Sequence, residues 1–167
     1  MTPTHPPVPA RVALFLPTFE GGGAERAFIN LARGFRDLGV RTDFVVANAD
    51  GPYRDEVPEG VSLVDLRARR FVLSLPALVR YLRQTRPDRL YSALEEANVF
   101  ALLARRLAGG PTLVFPSIRN TLSQEKGNEP LRSLVIRRLA RRLYPGADGI
   151  VAVSKGAAED AAATLGL

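Results

Sequence analysis

Arg11-Val12-Ala13-Leu14-Phe15-Leu16-Pro17-Thr18-Phe19-Glu20-Gly21-Gly22-Gly23-Ala24-Glu25-Arg26 decides how the rest of the chain is read. Its first part is an almost unbroken apolar run, short enough for a strand and too uniform for a sheet face open to water, which suits a parallel strand covered on both sides. Pro17 stops it. After the three glycines the apolar residues fall at Phe28, Leu31, Ala32, Phe35 and Leu38, a helical spacing. A strand that hands over to glycines at a helix start gathers unpaired N–H groups where no Cβ blocks approach, and so forms a site for an anion, most naturally a phosphate or diphosphate. The plainer alternative is a tight turn in which Glu25 only complements the helix dipole. The dinucleotide fingerprint fails because Arg26 stands where its third glycine belongs, and the Gly-Lys-Ser/Thr of a P-loop is absent.

Strand and helix patterns alternate outward from this turn. Val40–Ala47 reads as a second strand. Val61–Leu66 reads as a third, with Val61, Leu63 and Leu66 inward, and Arg89–Leu94 as a fourth. Leu73–Arg86 places Leu75, Leu78, Val79 and Leu82 on one helical face. Glu95–Leu107 does the same with Val99, Leu102, Leu103 and Leu107. Thr112–Pro116 reads as a fifth strand, followed by a polar segment, Ser117–Pro130, long enough to be functional. Leu131–Tyr144 is an arginine-rich helix with Val135, Ile136, Leu139, Ala140 and Leu143 on one side. Ala147–Val153 is the last strand, and Ser154 is the cap of a final helix ending near Leu165. The right-handed crossover rule turns this alternation into a Rossmann-like α/β fold, an open parallel sheet with helices on both faces. Residues 1–10 read as a flexible proline-rich N-terminus and 11–167 as one domain.

Composition narrows the classes. The chain has 167 residues, 46% of them hydrophobic, enough for one domain with a real core. It lacks cysteine and has a single histidine, His5 in the proline-rich tail, so no metal site is expected. No signal peptide or membrane span is legible, and a cytoplasmic location is expected. The net charge of +6 comes from 21 arginines and two lysines, which favours anionic partners, yet no nucleic-acid motif accompanies it.

Ligands of open parallel sheets sit beyond the carboxyl ends of the strands, here Thr18–Arg26, Ser92–Asn98, Ser117–Thr121, and Ser154 with Lys155. Glu95, Glu96 and Asn98 either hold a polar substrate or open a helix whose dipole favours acids. Arg119 and Asn120 follow the fifth strand, where an arginine clamps a phosphate or stays a solvated charge. Ser154 reads as a helix cap and Lys155 as solvated. On the basic helix, Arg137, Arg138, Arg141 and Arg142 share a side that is either solvated or an attachment surface for anionic lipid.

Gly-Gly-Gly-Ala-Glu-Arg at 21–26, Glu96-Ala97-Asn98, Ser117-Ile118-Arg119-Asn120, and Ala147-Asp148-Gly149-Ile150-Val151-Ala152-Val153-Ser154 together resemble the family 4 glycosyltransferases of the GT-B architecture. The resemblance runs over 11–167. It implies the N-terminal, acceptor-side domain of a retaining glycosyltransferase that moves a sugar from a nucleotide-sugar to an acceptor, lipid-linked or polysaccharide, with the nucleotide-sugar as co-substrate, no tightly bound cofactor and no metal. It also implies that the donor is gripped by a C-terminal domain absent from this chain, since the family's Glu-x7-Glu motif is missing, so that the chain alone is expected to be inactive. The residues it marks are Gly21, Gly22, Gly23 and Arg26 for the donor phosphate or sugar, and Glu96, Asn98, Arg119 and Asn120 for the acceptor side. Many members carry a cleft histidine that this chain lacks, which leaves the catalytic residues unassigned. Peripheral contact with the inner face of a membrane through the arginine helix belongs to the same expectation.

Two other classes stay open. An oxidoreductase domain is weakened by the failed fingerprint and by Asn48 at the end of the second strand, where an acidic residue would bind ribose. A noncatalytic basic binding module would be favoured by a gene ending at Leu167.

Overall fold

The computed structural model describes residues 9–119 and 131–166. Its elements run β1 (Arg11–Leu16), α1 (Gly23–Asp37), β2 (Arg41–Val46), β3 (Ser62–Asp65), α2 (Ser74–Thr85), β4 (Arg89–Ala93), α3 (Glu95–Ala108), β5 (Leu113–Ile118), α4 (Leu131–Leu143), β6 (Val151–Ala152) and α5 (Lys155–Leu165), with short 3-10 turns between. The strands form one six-stranded sheet in the order β3-β2-β1-β4-β5-β6. Every pairing is parallel. This is the Rossmann-like α/β fold expected from the alternation.

β1 is central, and Val12–Leu16 have no exposed surface. Val12, Leu14 and Leu16 join Phe44, Val46, Phe28, Ile29 and Ala32 under α1. Ala13 and Phe15 face the other way, with Val45, Leu90 and Val114, towards α2 and α3. Each fully buried Phe or Ile in these layers contributes roughly 2–3 kcal/mol of transfer free energy.

Five apolar positions lie elsewhere than the spacing suggests, Leu31 of α1 among them at 36% exposed. Leu38 follows the last turn of α1 and is 74% exposed. Leu63 pairs with Phe44, but on the edge strand it lies beyond α1, which packs on β1 and β2, and it is 36% exposed. Leu107 is 49% exposed because α3 is buried on nearly all sides in its first turns, and its deepest stripe is Ala97, Ala101 and Ala104. Those small residues let the helix sit close over β1, β4 and β5. Val135 is half exposed, since α4 packs on α3 and α5 and buries only the stripe Ile136, Ala140 and Leu143.

The last strand is shorter than expected, pairing only at Ser117–Val151 and Ile118–Ala152. Asp148 stands in for the missing ladder. Its carboxylate accepts from Val114 N at 2.8 Å, and its own N–H donates to Val114 O at 3.1 Å. Residue 114, and by the two-residue period 116, therefore face β6, so Pro116 withholds its missing donor where pairing has not yet begun.

The amino-terminal edge of the sheet is tied by charge. The Arg11 guanidinium meets the fully buried Asp43 at 2.7 Å, and the Tyr81 hydroxyl donates to the same carboxylate. Burial, then the bond to Asp43, pushes the Tyr81 phenol up from its ordinary value. The Arg11 N–H donates to Asp88 at 2.8 Å.

Candidate functional site

At the opposite, carboxyl edge, β1 ends at Leu16 and the chain crosses to α1. Gly21 has φ +102°, a conformation L side chains rarely adopt, so a glycine is needed there. Gly22, the N-cap, is extended at φ −153°, which any residue tolerates. Steric space, not backbone strain, is what its missing Cβ provides, and a Cβ there would lie 2.9 Å from the Glu25 carboxylate. No side chain caps α1. Its first-turn N–H groups are thus left for something else.

The turn is held from behind by the loop after β2. Asn48 N donates to Pro17 O at 3.1 Å, Phe19 N to Asp50 O at 3.1 Å, and Tyr53 N to Phe19 O at 3.2 Å. Gly51 permits this approach, because a Cβ on it would meet Phe19 O at 2.2 Å. Reading the chain as a sequence sees only a turn glycine there.

A cleft of about 470 Å³ opens at this edge, lined by Gly22, Gly23, Ala24, Glu25, Leu94, Arg119 and Val153. Leu94 ends β4 with φ +76° and ψ 140°, a strained backbone for a leucine and of the kind that gathers at functional sites. Arg119 leaves β5 with its guanidinium 5.7 Å from the Phe28 ring centroid, and its buried Nε has no hydrogen-bond partner. Desolvation pushes its pKa below the usual guanidinium value, while the charge of Glu25 pulls it back up. Glu25 is only 7% exposed, and neither a hydrogen bond nor an ion pair joins it to any described residue. Glu25, Leu94 and Val153 are cleft residues that the motif reading did not single out. For Glu25 the signal was its place in the first turn after the glycines.

Of the residues marked from sequence, Gly22, Gly23 and Arg119 meet in the cleft and Gly21 adjoins it. Arg26 turns away, forming a two-pronged pair with Glu56 over the Tyr53 ring, and the bonds to Glu56 and then Tyr53 hold its pKa up. Glu96 is partly buried in the first turn of α3 and already engaged. Asn98 is buried, accepting from Ser92 Oγ at 2.8 Å and donating to Ser117 O at 3.0 Å, so it stitches β4 to β5. Asn120 lies outside the described residues, as does most of the Ser117–Pro130 segment. Ser154 caps α5, accepting from Ala157 N at 3.1 Å, and Lys155 is exposed beside Glu159. On α4, Arg138, Arg141 and Arg142 are exposed, Arg137 is partly buried with a partner, and Arg141 Nε donates to Thr164 O at 3.0 Å.

A glycine turn at the carboxyl edge of a parallel sheet, facing an arginine from the strand two places away, is an arrangement suited to an anionic ligand. The model of the glycosyl transferase 4-like domain family matches residues 22–167, and the chain belongs to that family. A comparison with curated proteins finds no match. Among solved structures, Anabaena Alr3699/HepE in complex with UDP-glucose is similar with a TM-score of 0.68 at 19% identity, over 92% of this chain and 40% of that one. The apo form of the lipopolysaccharide outer core galactosyltransferase WaaB has a TM-score of 0.61 at 16% identity, over 92% of this chain and 42% of that one. A Listeria monocytogenes protein assigned as a UDP-N-acetylglucosamine 2-epimerase has a TM-score of 0.65 at 12% identity, over 93% of this chain and 42% of that one. These likenesses show the fold, the N-terminal half of the GT-B architecture, and the chain spans about two-fifths of the length of each neighbour. Among the described residues no helix is long and apolar enough to cross a membrane.

Proposed function

We propose that this chain is the acceptor-side domain of a retaining glycosyltransferase that takes a sugar from a nucleotide-sugar. The observation that carries the reading is the cleft itself, which the uncapped start of α1 and the desolvated Arg119 line together. Backbone N–H groups and a guanidinium are the partners a glycosyl diphosphate requires. UDP and UDP-glucose bound by HepE support a nucleotide-sugar as the co-substrate. The reading includes no metal and no tightly bound cofactor. In it Gly22 and Gly23 touch the sugar or diphosphate, Arg119 borders the acceptor, and Asn98 positions the strand ends that carry Arg119. It is a reading of a cytoplasmic enzyme.

The test is Gly22→Val in the natural gene product, with release of UDP or GDP from nucleotide-sugars as the assay. Because φ at Gly22 is ordinary and the nearest obstacle is the tip of the flexible Glu25 side chain, the melting temperature is expected to stay nearly unchanged. Turnover is expected to fall by about a hundredfold, since the branched side chain occupies the cleft. Full activity in a well-folded Gly22→Val protein would remove the glycine turn from the site. An inactive wild-type gene product would favour a binding module.

We propose in addition that α4 meets an anionic membrane surface. The favouring observation is that Leu134 and Val135, each 52% exposed, lie on the same helix as the exposed Arg138 and Arg142. Each such arginine contributes about 1 kcal/mol near anionic lipid. Co-sedimentation with phosphatidylglycerol vesicles is expected at low salt and to weaken when Arg138 and Arg142 become Gln. Binding that is absent, or indifferent to these changes, makes the face merely solvated.

A further inference from the structure

We infer that the Glu25 carboxylate is the hydroxyl receptor of the cleft, so that a glycosyl phosphate binds with its sugar against the glycine turn and its phosphate at Arg119. The inference rests on the glycosyltransferase reading for the nature of the sugar, and it moves Arg119 from the acceptor's border to the phosphate of the glycosyl unit.

A carboxylate that only complements a helix dipole gains from lying in the first turn but has no reason to be desolvated. Glu25 is more than nine-tenths buried, lines the cleft and has no hydrogen bond or ion pair within the described residues. With so little of the residue open to water, a bound hydroxyl donor would give the carboxylate a partner that the described residues do not. Across the same space Arg119 is also desolvated, its Nε lacking a partner. The two charges attract one another, yet they do not close into an ion pair, and the apolar Leu94 and Val153 lie in the wall with them. A gap with an acceptor at one end and a fork of donors at the other fits a molecule carrying a hydroxyl and an anion on one rigid frame.

The charge of Glu25 also fixes the orientation. Its Oε2 sits where it would touch a Cβ on Gly22, so a phosphate placed at the glycines would meet a carboxylate at close range. The favourable arrangement sends the phosphate to Arg119 and a sugar hydroxyl to Glu25, where a charge-assisted hydrogen bond forms. Nucleotide-sugars and phosphate-linked lipid saccharides share this glycosyl phosphate unit.

The experiment titrates the chain with α-glucose 1-phosphate and, separately, with inorganic phosphate, following the amide signals of Gly22 and Gly23 and the Nε–H signal of Arg119. Wild type is expected to prefer glucose 1-phosphate. Glu25→Gln is expected to weaken glucose 1-phosphate by about tenfold while phosphate binds as well or better, because a repelling charge has gone and a charge-assisted bond with it. Arg119→Gln is expected to weaken both. If Glu25→Gln tightens both probes alike, leaves their ratio unchanged, or if wild type binds neither probe, the inference falls. Should the glutamine variant not fold, Glu25→Asp, which withdraws the carboxylate but keeps its charge, is expected to weaken glucose 1-phosphate and to leave inorganic phosphate nearly unchanged. Repeating the series with UDP-glucose and with glucose linked through phosphate to a short polyprenol tells which source is read. A gene product that shows this selectivity but transfers no sugar would sink the glycosyltransferase reading alone. An active one with unchanged selectivity in Glu25→Gln would sink the inference alone.

Discussion

The two edges of the sheet carry similar polar residues and treat them in opposite ways. At the amino edge Arg11 holds Asp43, Tyr81 joins the same carboxylate, and Asp88 takes the Arg11 N–H. Arg105 and Val114 share Asp148 in the same fashion. At the carboxyl edge Glu25 and Arg119 lie within each other's field without forming an ion pair among the described residues, and Arg119 Nε lacks a hydrogen-bond partner, beside a leucine in a strained conformation. Satisfied charges at one end hold the strands in register. At the other, in the reading proposed above, a ligand supplies the partner that Arg119 Nε lacks. In that reading the same contrast separates residues that serve the fold from those that serve a ligand more sharply than residue type does.

Replacing the arginine at each end breaks or sharpens that contrast, and this is the largest effect expected. Arg11→Met leaves the buried Asp43 carboxylate with the Tyr81 hydroxyl alone, and one of its oxygens, Oδ1, already lacks a partner. A loss of about 3 kcal/mol in urea unfolding is expected, because removal of one partner strands the other charge away from water. Arg119→Met should change stability by less than about 1 kcal/mol, since its Nε holds no hydrogen bond to be lost and its attraction to Glu25 acts without an ion pair among the described residues. Equal losses at the two positions would mean that Arg119 is part of the structural framework after all.

Much of this architecture was legible before the structure. The doubly covered β1 and the strict alternation after it are local patterns, and they led to the parallel sheet and to the edge where Gly22, Gly23 and Arg119 meet. What was not legible depends on contacts between distant segments. Gly51 reads as any turn glycine until Phe19 O is seen in the place of its Cβ. Asp148 gives no sign in its own segment that its carboxylate will replace a strand ladder beside Val114. On α3 Val99, Leu102 and Leu103 do face the core, and only Leu107 departs, while the alanines take the tightest side, which large-residue spacing does not reveal. Arg26 looked as available as Arg119, and only the fold shows Glu56 and Tyr53 capturing it.

The smallest effect expected concerns Leu94, and its value lies in its sign. At an ordinary exposed or half-buried position, glycine is less stable than alanine by roughly 0.5–1 kcal/mol, because the unfolded chain gains freedom. Leu94 has φ +76°, where a side chain costs on the order of 1–3 kcal/mol and glycine costs almost nothing. Leu94→Ala removes the side chain that packs against the cluster under α1 while keeping the strain, so it should lose about 1–2 kcal/mol. Leu94→Gly loses the same packing but relieves the strain, and should therefore be the more stable of the two by about 1 kcal/mol in urea unfolding. If alanine proves more stable than glycine, the backbone at the end of β4 is not strained in solution, and the carboxyl edge loses one of the features that set it apart. If the order is inverted as expected, comparing glucose 1-phosphate binding by the two variants shows what the strain is for. Weaker binding by the more stable glycine variant would mean that a rigid strained residue holds the cleft wall in place, at a cost in stability that the amino edge does not incur.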